Sequence, residues 1–248
     1  MNPNTIYGRD AEIEQLRQLL SRRRSFLIHG PSGVGKTLLL RHVAGELPEI
    51  LYCRESSSSL TVFRALTVEL FAKNNRCVVK ACGRSGLNAV GDKSAVSLRG
   101  IVTDALRENK YWIVLDHVKS PSQSFAATMK EVCGRAETPL IAAARSAHME
   151  DVGFLLPLFS DRPQKFALRN FSSDVAKDFA LWVATEMQLE AVNRDEAINQ
   201  IVRYSKGNPG AIIAMLQMAI SPRYVVRQHI KLSPLYIDFR LSWGAIHE

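Results

Sequence analysis

The stretch from Ser25 to Ala44 constrains this chain more than any other. Phe26-Leu27-Ile28 is a short apolar run, the pattern of a buried strand. Gly30-Pro31-Ser32-Gly33-Val34-Gly35 follows as a glycine-rich turn, then Lys36-Thr37, and Leu38 to Ala44 continues with the spacing of an amphipathic helix. A strand, a glycine turn and a helix thus follow one another within twenty residues. The glycines let the main chain wrap closely, because a Cβ would obstruct the turn. Consecutive N–H groups then form a concavity at the start of a helix, where the helix dipole also favours negative charge.

The spacing Gly-x-x-x-x-Gly-Lys-Thr, with Gly30 first and Gly35 last, is the P-loop (Walker A) signature, here in the strand-to-helix context the signature requires. Gly30, Pro31, Ser32, Gly33, Val34, Gly35, Lys36, Thr37 and Leu38 are therefore the expected phosphate-binding residues. Lys36 is expected on the β- and γ-phosphates of ATP, and the Thr37 hydroxyl on Mg2+, a cation that prefers hard oxygen ligands. A dinucleotide site fits less well, since Lys36 stands where that fold needs close helix packing.

The length of 248 residues suits one α/β domain with a small appendage. A net charge of +8 permits contact with nucleic acid or an acidic membrane face without demanding either. Four cysteines, Cys53, Cys77, Cys82 and Cys133, lack the spacing of a zinc site, and Cys53 and Cys133 sit in apolar or helical contexts. A reducing, cytoplasmic compartment is the expectation. The first residues lack the basic start and apolar core of a signal peptide, and no apolar run is long enough to span a bilayer.

Upstream of the loop, Tyr7-Gly8-Arg9-Asp10-x-Glu12 leads into a helix whose apolar face is Ile13, Leu16, Leu19 and Leu20, with Asp10 as a candidate cap. Ser21 to Ser25 is a basic turn, either a solvated linker or a polyanion contact. Ile50 to Cys53 reads as a second strand. A helix follows from Leu60 to Ala72, with Ser59 or Thr61 as its cap. Residues 73–97 read as a long irregular connection carrying Arg76, Lys80, Arg84 and Lys93 against Asp92. That leaves two readings, a surface loop or a basic loop offered to DNA or a neighbouring subunit.

Tyr111 to Leu115 is a continuous apolar run ending at Asp116, as expected of a central parallel strand that is apolar on both faces. An acid at its carboxyl end falls where α/β sheets bind ligands, the Walker B arrangement, and Asp116 is expected to hold the Mg2+ shell opposite Thr37. A helix from Gln123 to Ala136, a strand from Thr138 to Ser146 and a strand from Lys165 to Leu168 complete five strands joined by right-handed crossovers. Residues 170–221 are helical, with segments Ser173–Glu186, Arg194–Tyr204 and Ala211–Ala219. Gly207 is the expected C-cap and Pro209 an expected first-turn residue. The tail, 222–248, mixes aromatic and basic residues and could dock on the helices, on a partner or on DNA.

The paired Gly-Arg-x-x-Glu box and Walker A motif resemble AAA+ proteins of the STAND and origin-recognition type. The resemblance implies a P-loop NTPase fold with a five-stranded parallel sheet in the order 5-1-4-3-2, on residues 1–169, followed by an α-helical lid on 170–221. It places Tyr7, Gly8 and Arg9 on the adenine side, Arg145 as the γ-phosphate-sensing arginine, Arg162 as an arginine finger and Pro209 against the nucleotide. The family carries an acid after the Walker B aspartate, whereas this chain has His117. An imidazole is a poorer base beside Mg2+ than a carboxylate, so slow hydrolysis is expected. No arginine lies between Arg203 and Arg223, which favours the STAND-like branch. The implied function is an ATP-binding, slowly hydrolysing switch or regulator that works with ATP/ADP, Mg2+, a protein partner and a homo-oligomer. The alternatives are a DNA-acting ATPase and an interaction module without significant hydrolysis. Lys36, Asp116, His117, Arg145 and Arg162 form the expected catalytic set.

Overall fold

The computed structural model describes residues 6–83, 86–160 and 164–247. The chain divides into two compact units. One comprises Ala11–Gly30 and Lys36–Ala167, and contains the sheet. The other comprises Met1–Asp10, Pro31–Gly35 and Leu168–Glu248, and is helical.

The sheet unit starts with α1 (Asp10–Ser21), β1 (Phe26–His29), α2 (Lys36–Glu46) and β2 (Ile50–Cys53). Next come α3 (Ser59–Ala72), α4 (Arg76–Cys82), α5 (Asn88–Gly91) and α6 (Ala95–Glu108). The remainder is β3 (Trp112–Leu115), α7 (Gln123–Arg135), β4 (Leu140–Ala144), α8 (Met149–Val152), a 3-10 segment Gly153–Phe159 and β5 (Lys165–Ala167). The strands run β2-β3-β4-β1-β5, all parallel, which is the expected 5-1-4-3-2 order read from the other edge. Every residue of β3 and β4 is buried, as befits strands covered on both faces. Pairing Ile113 with Leu140 and Leu115 with Ala142 leaves Asp116 just past the carboxyl edge of the sheet.

Two local expectations change. The cap of α3 is Ser58, whose hydroxyl accepts from the Thr61 N–H at 3.1 Å, one residue before the earliest candidate. Among the described residues, 73–97 is not an irregular connection. Asn75 caps α4 by accepting from the Val78 N–H at 3.3 Å, and Val78 and Cys82 turn into the core beside α6. Burial of those two side chains outweighs the weak helix propensity of the Cys-Val-Val run. Ser94 then caps α6 through the Ser97 N–H.

The helical unit contains α9 (Ser173–Glu186), α10 (Arg194–Ser205), α11 (Pro209–Ala219), a 3-10 turn Pro222–Tyr224, a hairpin of β6 (Val225–Val226) and β7 (His229–Ile230), and α12 (Leu232–His247). Arg227 and Gln228, both at positive φ, form the two-residue hairpin loop. Asn193 anchors that hairpin, donating to Ile230 O at 3.1 Å and accepting from Ile230 N at 2.9 Å. The tail packs onto the three helices through Tyr224, Ile230, Leu235 and Phe239, so it shares their core. The expected C-cap moves by one residue: Lys206 takes the left-handed conformation and ends α10. Gly207 is needed for a different reason, since a Cβ there would stand 2.3 Å from Phe171 O. The Phe171 N–H donates to Gly207 O across that close approach, at 2.9 Å.

Candidate nucleotide-binding site

In the sheet unit, helix α2 begins at Lys36 directly after the glycine turn. The Lys36 ammonium donates to Gly30 O at 2.7 Å. Burial holds its pKa below the usual lysine value, while Asp116 and Asp151 raise it and Arg145 lowers it further. A lysine drawn out of water in this way is suited to meet an anion, whose charge favours the ammonium form.

Thr37 and Asp116, 79 positions apart, converge: Thr37 Oγ1 donates to Asp116 Oδ2 at 2.8 Å. The Tyr52 hydroxyl donates to the same Oδ2, and Oδ1 accepts from the His117 N–H at 2.9 Å. Asp116 is almost fully buried, so these three donors hold its carboxylate in one orientation. Burial and the hydrogen bond to Asp116 push the Tyr52 phenol well above its usual range, so it stays protonated and donating. A hydroxyl and a carboxylate at this spacing fit Mg2+, which takes few protein oxygens and keeps its remaining positions for water and phosphate. Among the described residues there is no cluster of three or more His, Cys, Asp or Glu able to enclose a metal.

His117 has φ +54° and a side chain 64% exposed, with Nε2 3.4 Å from Thr37 Oγ1. Three main-chain hydrogen bonds at the next residues, two donated and one accepted, pin its backbone in place. Val118 N–H donates to Ala143 O at 2.8 Å, Ser120 N–H to Asp151 O at 2.7 Å and Phe154 N–H to Pro121 O at 3.4 Å. Arg145 is exposed at the end of β4, within electrostatic reach of Lys36. Arg162 lies outside the described residues. His29, at the end of β1, has its pKa lowered by burial and then by Lys165, His148 and Lys36.

The loop residues 31–35 belong to the helical unit, where their contacts are dense. Gly210 N–H donates to Gly33 O at 2.9 Å and Asn208 Nδ2 to Ser32 O at 2.8 Å. Pro209 is the buried first residue of α11 and Asn208 caps that helix, accepting from Ala211 N–H at 3.1 Å. The Arg9 guanidinium donates to Val34 O at 3.2 Å and Arg169 O at 2.8 Å, and lies 4.3 Å over the Phe171 ring. Tyr7 stacks on Trp182 at 5.4 Å beside Phe179, and Gly8 approaches Val175. Gly33 and Gly35 have φ of +76° and +103°, which favours glycine at both. A Cβ on Gly35 would meet nothing within 4 Å, so backbone conformation and not protein packing requires glycine there.

Three residues with contacts to this site were not singled out from sequence: Tyr52, Asn208 and Trp243. Asn208 had a signal, an Asn directly before a first-turn Pro. Tyr52 had only its place beside β3 at the carboxyl edge, and Trp243 had none.

A sequence-family profile described as AAA ATPase domain matches residues 5–148. No curated protein matches. Among solved structures, a Walker-type ATPase of Pyrococcus abyssi is similar with a TM-score of 0.67 and 17% identity, over 97% of this chain and 73% of that one. The ORC1 protein of Aeropyrum pernix, solved in complex with DNA, gives 0.61 and 15%, over 97% and 66%. RuvB of Thermotoga maritima gives 0.55 and 14%, over 96% and 70%. At such identities the likeness speaks for the fold alone. The chain spans about two thirds to three quarters of these neighbours' lengths. No helix among the described residues is long and apolar enough to cross a membrane. With more than half of its length matched and the parallel sheet in the expected order, the chain belongs to the AAA ATPase domain family.

Proposed function

We propose that this chain binds ATP with Mg2+ and hydrolyses it slowly, as a STAND-like switch acting through a protein partner. The observation that carries the reading is the 2.8 Å approach of the Thr37 hydroxyl to the Asp116 carboxylate, one residue past Lys36 at the head of α2. Main-chain amides from Gly30 to Leu38, except at Pro31, which has no N–H, bind the phosphates, and Lys36 neutralises β- and γ-oxygens. Thr37 and Asp116 hold Mg2+, which when bound screens the charge that develops on the phosphoryl oxygens. Pro209, Tyr7, Gly8 and Arg9 serve the nucleoside end, Arg9 by fixing the loop carbonyl at Val34. Arg145 senses the γ-phosphate and Arg162 serves a neighbouring copy. Water attacks the γ-phosphorus, the bond to the bridging oxygen breaks, and ADP and phosphate leave. In this reading His117 orients that water, a role its exposed imidazole fills less well than a carboxylate would.

Calorimetry with ADP and with a non-hydrolysable ATP analogue tests the reading, on the wild type and on Lys36→Ala. Uptake by the wild type and loss in the variant are expected, with steady-state turnover below about 1 per second. No uptake by either protein, or many turnovers per second, would refute it.

A second reading, a DNA-acting ATPase, is favoured by the +8 charge and by exposed Arg76 and Lys80 on α4. It predicts DNA binding that weakens steeply with salt. No binding at low salt would end it.

A further inference from the structure

The C-terminal helix plays no part in the reading above, yet within the helical unit it reaches the phosphate-binding loop. A Cβ placed on Gly33 would lie 3.0 Å from Trp243 Cζ2 and 3.1 Å from Cη2. One on Gly210 would lie 3.2 Å from Cη2 of the same ring and 2.9 Å from Gly33 Cα. The loop, the first turn of α11 and the indole therefore meet where only hydrogen atoms fit. The indole is braced by Phe239 one turn earlier, with centroids 5.2 Å apart, and Phe239 is itself buried in the helical core. The edge of the ring is thus held by packing that continues into the body of the unit.

We propose that Trp243 is a positioning residue of the nucleotide site: through it α12 docks on the loop and holds the amides of residues 32–35 in the anion-binding conformation. The inference rests on the nucleotide-binding reading. A loop with two glycines at positive φ has a large conformational freedom to lose when it closes on phosphate. A flat ring laid against Gly33 removes part of that freedom beforehand, and preorganisation of this kind appears as affinity. The coupling is reciprocal: whatever seats α12 tightens phosphate binding, and phosphate in the loop seats α12.

The test uses the full chain with ADP as probe, read by calorimetry and by intrinsic tryptophan emission. Wild type, Trp243→Ala, Trp243→Phe and Lys36→Ala are compared, with circular dichroism as the check on folding. Trp243→Ala is expected to weaken ADP binding about tenfold, the equivalent of about 1.4 kcal/mol. Trp243→Phe, which keeps a flat ring, recovers most of that affinity. With Trp112→Phe and Trp182→Phe in the background, Trp243 is the sole indole, and its emission changes on ADP addition; the second replacement is needed because Trp182 stacks on Tyr7 at the proposed nucleoside end. Should Trp243→Ala fail to fold, the phenylalanine variant and the emission change decide. Wild-type affinity in a folded Trp243→Ala, or an emission from Trp243 as the sole indole that ADP leaves unchanged, overturns this inference alone, provided Lys36→Ala has lost binding. No ADP uptake by the wild type overturns both this inference and the reading beneath it.

Discussion

Asn208 joins two tasks that substitution can separate. Its Oδ1 caps α11 through the Ala211 N–H, while its Nδ2 ties down Ser32 O at 2.8 Å and reaches Asn170 Oδ1 at 3.2 Å. The residue is only 7% exposed, so water does not replace these partners freely. Loss of an N-cap costs about 1 kcal/mol. Loss of the two donated bonds costs about 1–2 kcal/mol more. Asn208→Ala should therefore destabilise the protein by about 2–3 kcal/mol. Asn208→Ser keeps an oxygen suited to the cap and discards the amide donors. It should cost about 1 kcal/mol less than the alanine variant. Urea unfolding followed by circular dichroism measures the difference, provided the m-value is unchanged. Calorimetry with ADP should find the two variants equally weakened, since both release Ser32. Equal destabilisation by serine and alanine would show that the cap contributes nothing. Wild-type ADP affinity in both would show that the amide tether to the loop has no bearing on phosphate.

The geometry sets three further outcomes. Tyr52→Phe removes one of two donors from Asp116 Oδ2. The Mg2+ concentration for half-maximal tightening of ADP binding should shift about ten- to a hundredfold, the size of one hydrogen bond to a charged group, with ADP binding in chelator unaltered. An unshifted Mg2+ titration would sink that role. His117→Glu should raise steady-state ATP turnover at least about tenfold, within the range of general-base contributions. A rate no higher than wild type would mean the missing carboxylate does not set the pace. His29 has its pKa lowered in the folded chain by burial, then Lys165, His148 and Lys36, so the unfolded chain binds the extra proton more readily. Stability is then complete above the unfolded value of 6.5 and falls as pH drops through it. In His29→Gln that fall should be smaller between about pH 7 and 5 in thermal melts without nucleotide. An identical acid slope in both proteins would contradict it.

Where one local segment decided the structure, the sequence was a sufficient guide. The run from Phe26 to Thr37 carries its strand, turn and helix start within itself, and the apolar run before Asp116 reads directly as a doubly covered strand. The Thr37–Asp116 pairing was legible because two motifs of fixed role imply each other. What stayed hidden depends on partners distant in the chain. Helix α4 forms because Val78 and Cys82 find the core, and its seven residues with glycines beyond them offer little periodicity. Gly207 looked like a helix terminator, and its necessity lies in Phe171 O pressed against it. Tyr52 gained meaning only through the neighbouring strand, and Trp243 only through a fold that returns the last helix to Gly33.

The segment after Asp116 is fastened to β4, to α8 and to the start of the 3-10 run, while the imidazole of His117 stays largely exposed beside Thr37 and Asp116. A residue mounted on so fixed a frame can be exchanged without redrawing the path around it. On the function proposed above, the lifetime of a bound triphosphate would drift over generations through a single codon, leaving the architecture untouched.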